Sequence, residues 1–382
     1  MQKVWGILSV AFIMALLFPL VAVIVFISYF SDSRYIFPFV IAAYISLGGF
    51  LVMARFELHR FKKFFFIGSG VLMVIALLFV TPELYDKTRK VISDGSIEVA
   101  DYEPFQKNTK AVKLDEPTTL KIDSDLPVID GATALYPIYS AFAQAVYPEK
   151  DYPVHGSEVM SNRTGQAYTN VINGTADIAF VLGPSANQLK QAENAGRELT
   201  FTPIGKEAFV FFVNSKNPVE SLEVDELKGI YAGKITNWND VGGKSETIRA
   251  FQRPENSGSQ TALQKFMGTT VIMKPPTEDI ASLMGTVIGE VADYKNHNNA
   301  IGYTFRYYST QMVKNNNIRL LNVNGIEPTV ETIRSGEYPI THEFYAVTAG
   351  SENPHVEAFL EWILSEQGQD IIEKTGYVPI RK

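Results

Sequence analysis

Ile248-Arg249-Ala250-Phe251-Gln252-Arg253-Pro254-Glu255-Asn256-Ser257-Gly258-Ser259-Gln260-Thr261 is the stretch on which the reading of this chain turns. A short apolar run with strand character leads into a turn at Pro254 to Asn256. Ser257 then stands at a helix N-cap position ahead of Thr261-Ala262-Leu263-Gln264-Lys265-Phe266-Met267. A helix start leaves backbone N–H groups unpaired and carries about half a positive charge. Ser257, Gly258 and Ser259 add two hydroxyls and a point of close backbone approach. Arg253, just upstream, brings a guanidinium fork suited to an oxyanion. Together these describe an anion seat. The same pattern also describes an ordinary capped helix with a surface arginine.

Working outward, the 382 residues suffice for a sizeable core. The hydrophobic share of 46% is ordinary on average, but it is concentrated in the first eighty or so residues. A net charge of −7 argues against a nucleic-acid surface, though not against a local anion site. The absence of cysteine removes disulfides, thiolate metal sites, cysteine nucleophiles and a lipidated cysteine anchor.

Residues 4–30, 36–54 and 64–80 are each apolar over lengths compatible with a bilayer span. They predict a three-span transmembrane anchor over residues 1–80. Arg55, Arg60, Lys62 and Lys63 between the second and third runs predict a cytoplasmic loop and N-terminus, and an extracellular C-terminal domain. This makes the chain a multi-pass cell-membrane protein. Residues 81–126, polar and punctuated by proline, read as an extracellular linker, with residues 119–122 open to packing on the domain as a strand.

From residue 127 onward, short β-rich runs alternate with helical runs, predicting an α/β domain with a mostly parallel sheet. Ligands in such sheets sit where strands feed helix N-termini. Besides the opening stretch, Asp130-Gly131-Ala132-Thr133-Ala134-Leu135 and Ser161-Asn162-Arg163-Thr164 have that character. No catalytic set accompanies these turns. Thr341-His342-Glu343-Phe344 lacks the second histidine of a zinc protease motif, and Ser257-Gly258-Ser259 has no evident His/Asp partner. No metal ligand set and no cofactor are expected.

Gly131-Ala132-Thr133, Ala176-Asp177-Ile178-Ala179-Phe180, Tyr231-Ala232-Gly233-Lys234-Ile235-Thr236-Asn237-Trp238 and Arg253-x-x-x-Ser257-Gly258-Ser259 occur in that order. Together they resemble the extracellular phosphate-binding proteins of bacterial phosphate ABC importers, which have the type II periplasmic-binding-protein fold. The resemblance implies two lobes, one over residues 127–213 and 302–382 and the other over residues 214–301. It implies that Thr133, Ala134, Leu135, Arg253, Ser257, Gly258 and Ser259 hold phosphate or a related oxyanion, with Thr164 as the helix-start hydroxyl. An ABC importer permease is the implied partner; an anion sensor or surface interaction module on the same fold is the alternative. One departure stands out. The family's aspartate, which accepts a proton from hydrogen phosphate, has no counterpart in Phe180-Val181-Leu182-Gly183-Pro184-Ser185.

Overall fold

The computed structural model describes residues 11–15, 18, 21, 37–55, 63–72, 74, 99–274, 299–313 and 318–380. The chain divides into two compact units, Met1–Lys90 and Val91–Lys382.

In the first unit, α1 spans Phe37–Arg55. Its 19 residues rise about 28 Å, against a hydrocarbon core of about 30 Å. Among the described residues no helix is long and apolar enough to cross a membrane. The three transmembrane helices expected from hydropathy are therefore not supported, and the multi-pass localisation drawn from them falls with them. Most of residues 4–30, the end of the third apolar run and residues 81–98 lie outside the described residues.

The second unit is an α/β domain. In chain order it contains β1 (Ile129–Gly131), α2 (Tyr136–Val146), α3 (Arg163–Asn173), β2 (Ile178–Leu182), α4 (Ala186–Asn194), β3 (Thr200–Asn214) and β4 (Ser221–Leu222). There follow α5 (Val224–Tyr231), β5 (Arg249–Ala250), α6 (Gly258–Met267), β6 (Ala300–Phe305), β7 (Ile318–Leu320) and β8 (Asn322–Val323). The chain ends with α7 (Val330–Ser335), β9 (Thr341–Thr348), α8 (Val356–Leu364), α9 (Glu366–Thr375) and β10 (Val378–Pro379). Residues 280–294, whose sequence reads as a helix, lie outside the described residues.

The main sheet runs β1-β2-β9-β3-β6-β5, with β7 and β10 also paired to β3. Its outer pairs, β1 with β2 and β5 with β6, are parallel. Its centre is antiparallel, because β3 pairs with β9 along its first half and with β6 and β7 along its second. The mostly parallel sheet expected from element order is thus a mixed one. The sequence also suggests two strands where β3 is a single strand of 15 residues. A register shift between Pro203 and Gly205 absorbs the interruption.

Buried aromatics fill the space between sheet and helices. Tyr139 stacks on Phe180 at 5.0 Å, and Phe142 meets Trp362 edge-on at 6.0 Å. Each such side chain contributes roughly 1.5–3 kcal/mol through burial. A smaller cluster, including Ala167, Tyr168, Val181 and Val347, lies under α3. Tyr102, Ala111 and Ile122, from the segment before β1, also join the main core.

Glu207 lies at the middle of β3, 3% exposed. It accepts from the N–H groups of Ala208 (2.8 Å) and Tyr307 (3.2 Å) and faces Arg306 at 3.5 Å. Burial outweighs these partners and pushes its carboxyl up to about 7. A carboxyl raised above its unfolded value makes the native chain the stronger proton binder. Its contribution to stability is present in acid and is lost as pH rises through about 7. Glu207→Gln removes this titration, so its melting temperature relative to wild type should climb between about pH 5 and pH 8. Parallel melting curves for the two proteins over that range would contradict the assignment.

Candidate functional site

Three turns build the site, and each is held by its own chemistry. The first follows β1. Ala132 N–H donates to Phe180 O at 2.8 Å, and a 3-10 turn covers Thr133–Leu135. Gly131 is required here: a Cβ would fall 2.5 Å from Phe180 O and 2.7 Å from the Tyr139 ring. The turn's first N–H groups have no intrahelical acceptor, and Thr133 and Ala134, which carry them, line a cavity. Leu135 does not line it. That side chain is 4% exposed and belongs to the core, and its N–H donates to Ala132 O at 2.8 Å.

The second turn leads into α3. Asp130, fully buried on β1, accepts from Gly131 N–H (2.7 Å), Asn162 N–H (2.8 Å), Asn162 Nδ2 (3.0 Å) and Asn170 Nδ2 (2.7 Å). One carboxyl group therefore fixes the turn after β1 against the start of α3. Thr164, 8% exposed, faces the cavity from there, beside Asn162 and Arg163.

The third turn is Arg253 to Ser259. Ser257 caps α6 as its sequence predicts, its Oγ accepting from Gln260 N–H at 3.2 Å. Gln260 reaches back, and its Oε1 accepts from Arg253 N–H at 3.0 Å. Tyr303 Oη accepts from the same N–H at 2.9 Å and donates to Gln260 Oε1. The backbone at Arg253 is thus pinned by two buried side chains. Burial raises the Tyr303 phenol, against the pull of Arg253. Among the described residues the buried Ser259 Oγ has no hydrogen-bond partner, which suits a donor kept for a ligand.

These turns line an open cavity of about 350 Å³. Of the residues expected from sequence, Thr133, Ala134, Thr164, Arg253, Ser257, Gly258 and Ser259 share its wall. Their donors are hydroxyls, backbone N–H groups at two helix starts and one guanidinium, which is a set that binds anions. At Gly258 a Cβ would crowd two side chains, lying 3.0 Å from Thr164 Oγ1 and 3.2 Å from Leu182 Cδ1. Leu182 therefore brings an apolar side chain to the donor ring. Thr304, Phe305 and Tyr308 complete the buried floor. No short-range signal marks these three as site residues, because the end of β6 and the turn after it reach the cavity only through sheet pairing. Among the described residues no cluster of three or more His, Asp or Glu could hold a metal ion.

Asp130→Ala would take the carboxylate acceptor from the half-buried amides of Asn162 and Asn170 and leave a hole on buried β1, and should lower unfolding stability by roughly 3 kcal/mol. Urea denaturation measures this; a loss under about 1 kcal/mol would mean that the donors find other partners.

Residues 102–367 match the family model described as a PBP superfamily domain. The phosphate-binding protein PstS of Bacillus subtilis is 27% identical over 255 residues, covering 66% of this chain and 80% of its own length. PstS of Borreliella burgdorferi is 28% identical over 217 residues, covering 55% of this chain and 76% of its own. A Clostridium perfringens substrate-binding protein solved with bound phosphate superposes with a TM-score of 0.51 at 24% identity, over 68% of this chain and 100% of its own. With the family match extending over most of its length and an α/β fold whose donor-lined cavity lies among helix starts, this chain belongs to the PBP superfamily.

Proposed function

We propose that this chain is a solute-binding protein that takes phosphate or a similar oxyanion and serves ABC-type import, with a permease as its partner. It binds its ligand without transforming it. The observation that carries this reading is the convergence of three separate turns on one cavity, with Arg253, Thr164 and the buried Ser259 hydroxyl among the donors. Relatives named as phosphate-binding proteins support the choice of anion.

In this reading the solute-binding domain covers residues 127–382, with lobes over residues 127–213 plus 302–382 and residues 214–301. The anion sits among Thr133, Ala134, Thr164, Arg253, Ser257, Gly258 and Ser259. Binding works by replacement. The anion gives up water and receives fixed donors, whose orientation is already set by the Asp130 and Gln260 hydrogen bonds. Arg253 contributes the only full positive charge among these seven residues.

Charge-assisted hydrogen bonds are worth roughly 1.5–3 kcal/mol each, so Arg253→Ala should weaken phosphate binding by about ten- to a hundredfold. Isothermal calorimetry on the full chain measures it. Unchanged affinity in that variant would sink the assigned site, and a wild-type protein that ignores phosphate and other tetrahedral oxyanions alike would sink the function.

A further inference from the structure

The cavity holds more than the proposed anion needs. Its volume of about 350 Å³ equals the liquid-water share of about a dozen waters, and a bare tetrahedral oxyanion occupies a fraction of that. The excess is not a gap awaiting closure at the seat. Ser185 Oγ already donates to Asn256 Oδ1 across the cleft at 3.1 Å, and Leu182 and Thr164 already pack on Gly258. The remaining space runs from the buried seat to a mouth where Arg163, Gln166 and Glu255 are exposed.

That mouth is built under backbone strain. Arg163 has φ 70°, a left-handed conformation that is costly for an arginine, while Asn256 at φ 71° is of a type that tolerates it; both residues line this cavity. The strain at Arg163 is held in place by the two hydrogen bonds from the neighbouring Asn162 to Asp130. Strain of this kind persists where surrounding structure over-determines it, and it concentrates at ligand sites. The chemistry at the mouth is mixed: Arg163 donates, Glu255 accepts and Gln166 does both. A second bare anion would meet Glu255 as well as Arg163. A hydroxyl or amine can use both. At the seat itself, apolar Leu182 beside Thr164 tolerates a carbon or ester oxygen on phosphorus, since it asks for no proton from the ligand.

We propose that the site takes a small phosphate monoester or phosphonate whose substituent carries a hydroxyl or an amine. The tetrahedral head occupies the Arg253–Ser259 turn, and the substituent reaches Arg163, Gln166 and Glu255. The inference rests on the oxyanion reading above.

The test is calorimetry on the full chain with inorganic phosphate, glycerol phosphate and aminoethylphosphonate. Both organic probes should bind at least as tightly as inorganic phosphate. Arg163→Ala should lower the affinity ratio of glycerol phosphate to inorganic phosphate about tenfold, and Glu255→Gln should do the same for aminoethylphosphonate. Arg253→Ala should weaken all three. Organic probes that bind about a hundredfold more weakly than inorganic phosphate, or ratios unmoved by both mouth variants, would overturn the inference while leaving the oxyanion reading intact. Failure of every phosphoryl ligand on the wild-type chain would overturn both.

Discussion

The buried carboxyl of Asp130 is the constraint on which the site depends. A polar group out of water is tolerated only when its hydrogen bonds are made, and Asp130 makes four, two on each oxygen. Its partners come from β1, from the approach to α3 and from the body of α3. The same bonds that satisfy the carboxyl therefore fix the distance between the first two turns. On the other side of the cavity, Gln260 and Tyr303 do the same for the third turn by holding the Arg253 backbone. The donors that line the cavity are thereby held in place by the protein itself, an arrangement that reduces the ordering any bound anion would require.

What could be read from sequence was what short-range chemistry decides. The Ser257 cap was legible because it needs only its immediate neighbours. The Asp130 network was not, since Asn162 and Asn170 lie 32 and 40 residues away. Leu135 was implied as a ligand residue only by the family resemblance, and the turn places it differently from Thr133 and Ala134. Its side chain points instead into the core, and its N–H is used within the turn. The continuity of β3 was hidden by Pro203 and Gly205, which signal a break in sequence but form an irregularity within one strand. The orientation of the sheet was misjudged for a related reason. Alternating elements suggest parallel neighbours, and only the pairing partners of β3 and β9 reveal the antiparallel centre.

The N-terminal region shows the limit of hydropathy as evidence. A run of apolar residues states a preference for leaving water and leaves the destination open. The described helix Phe37–Arg55 is apolar along most of its length, yet it does not meet the requirement for crossing a membrane. Length and composition have to be satisfied by a helix that forms, and apolar character counted along the sequence is a weaker criterion.

The single strand β3 has a mechanical consequence. Its first half is bonded to β9 and its second to β6 and β7, so both halves of the sheet share one uninterrupted backbone. Relative motion of those halves cannot be a free swivel about a loop. It has to be a torsion of hydrogen-bonded ribbon, centred near the buried Glu207 and Arg306. Such a joint resists twisting more than a loop would, because every turn of the ribbon strains the hydrogen bonds that hold it.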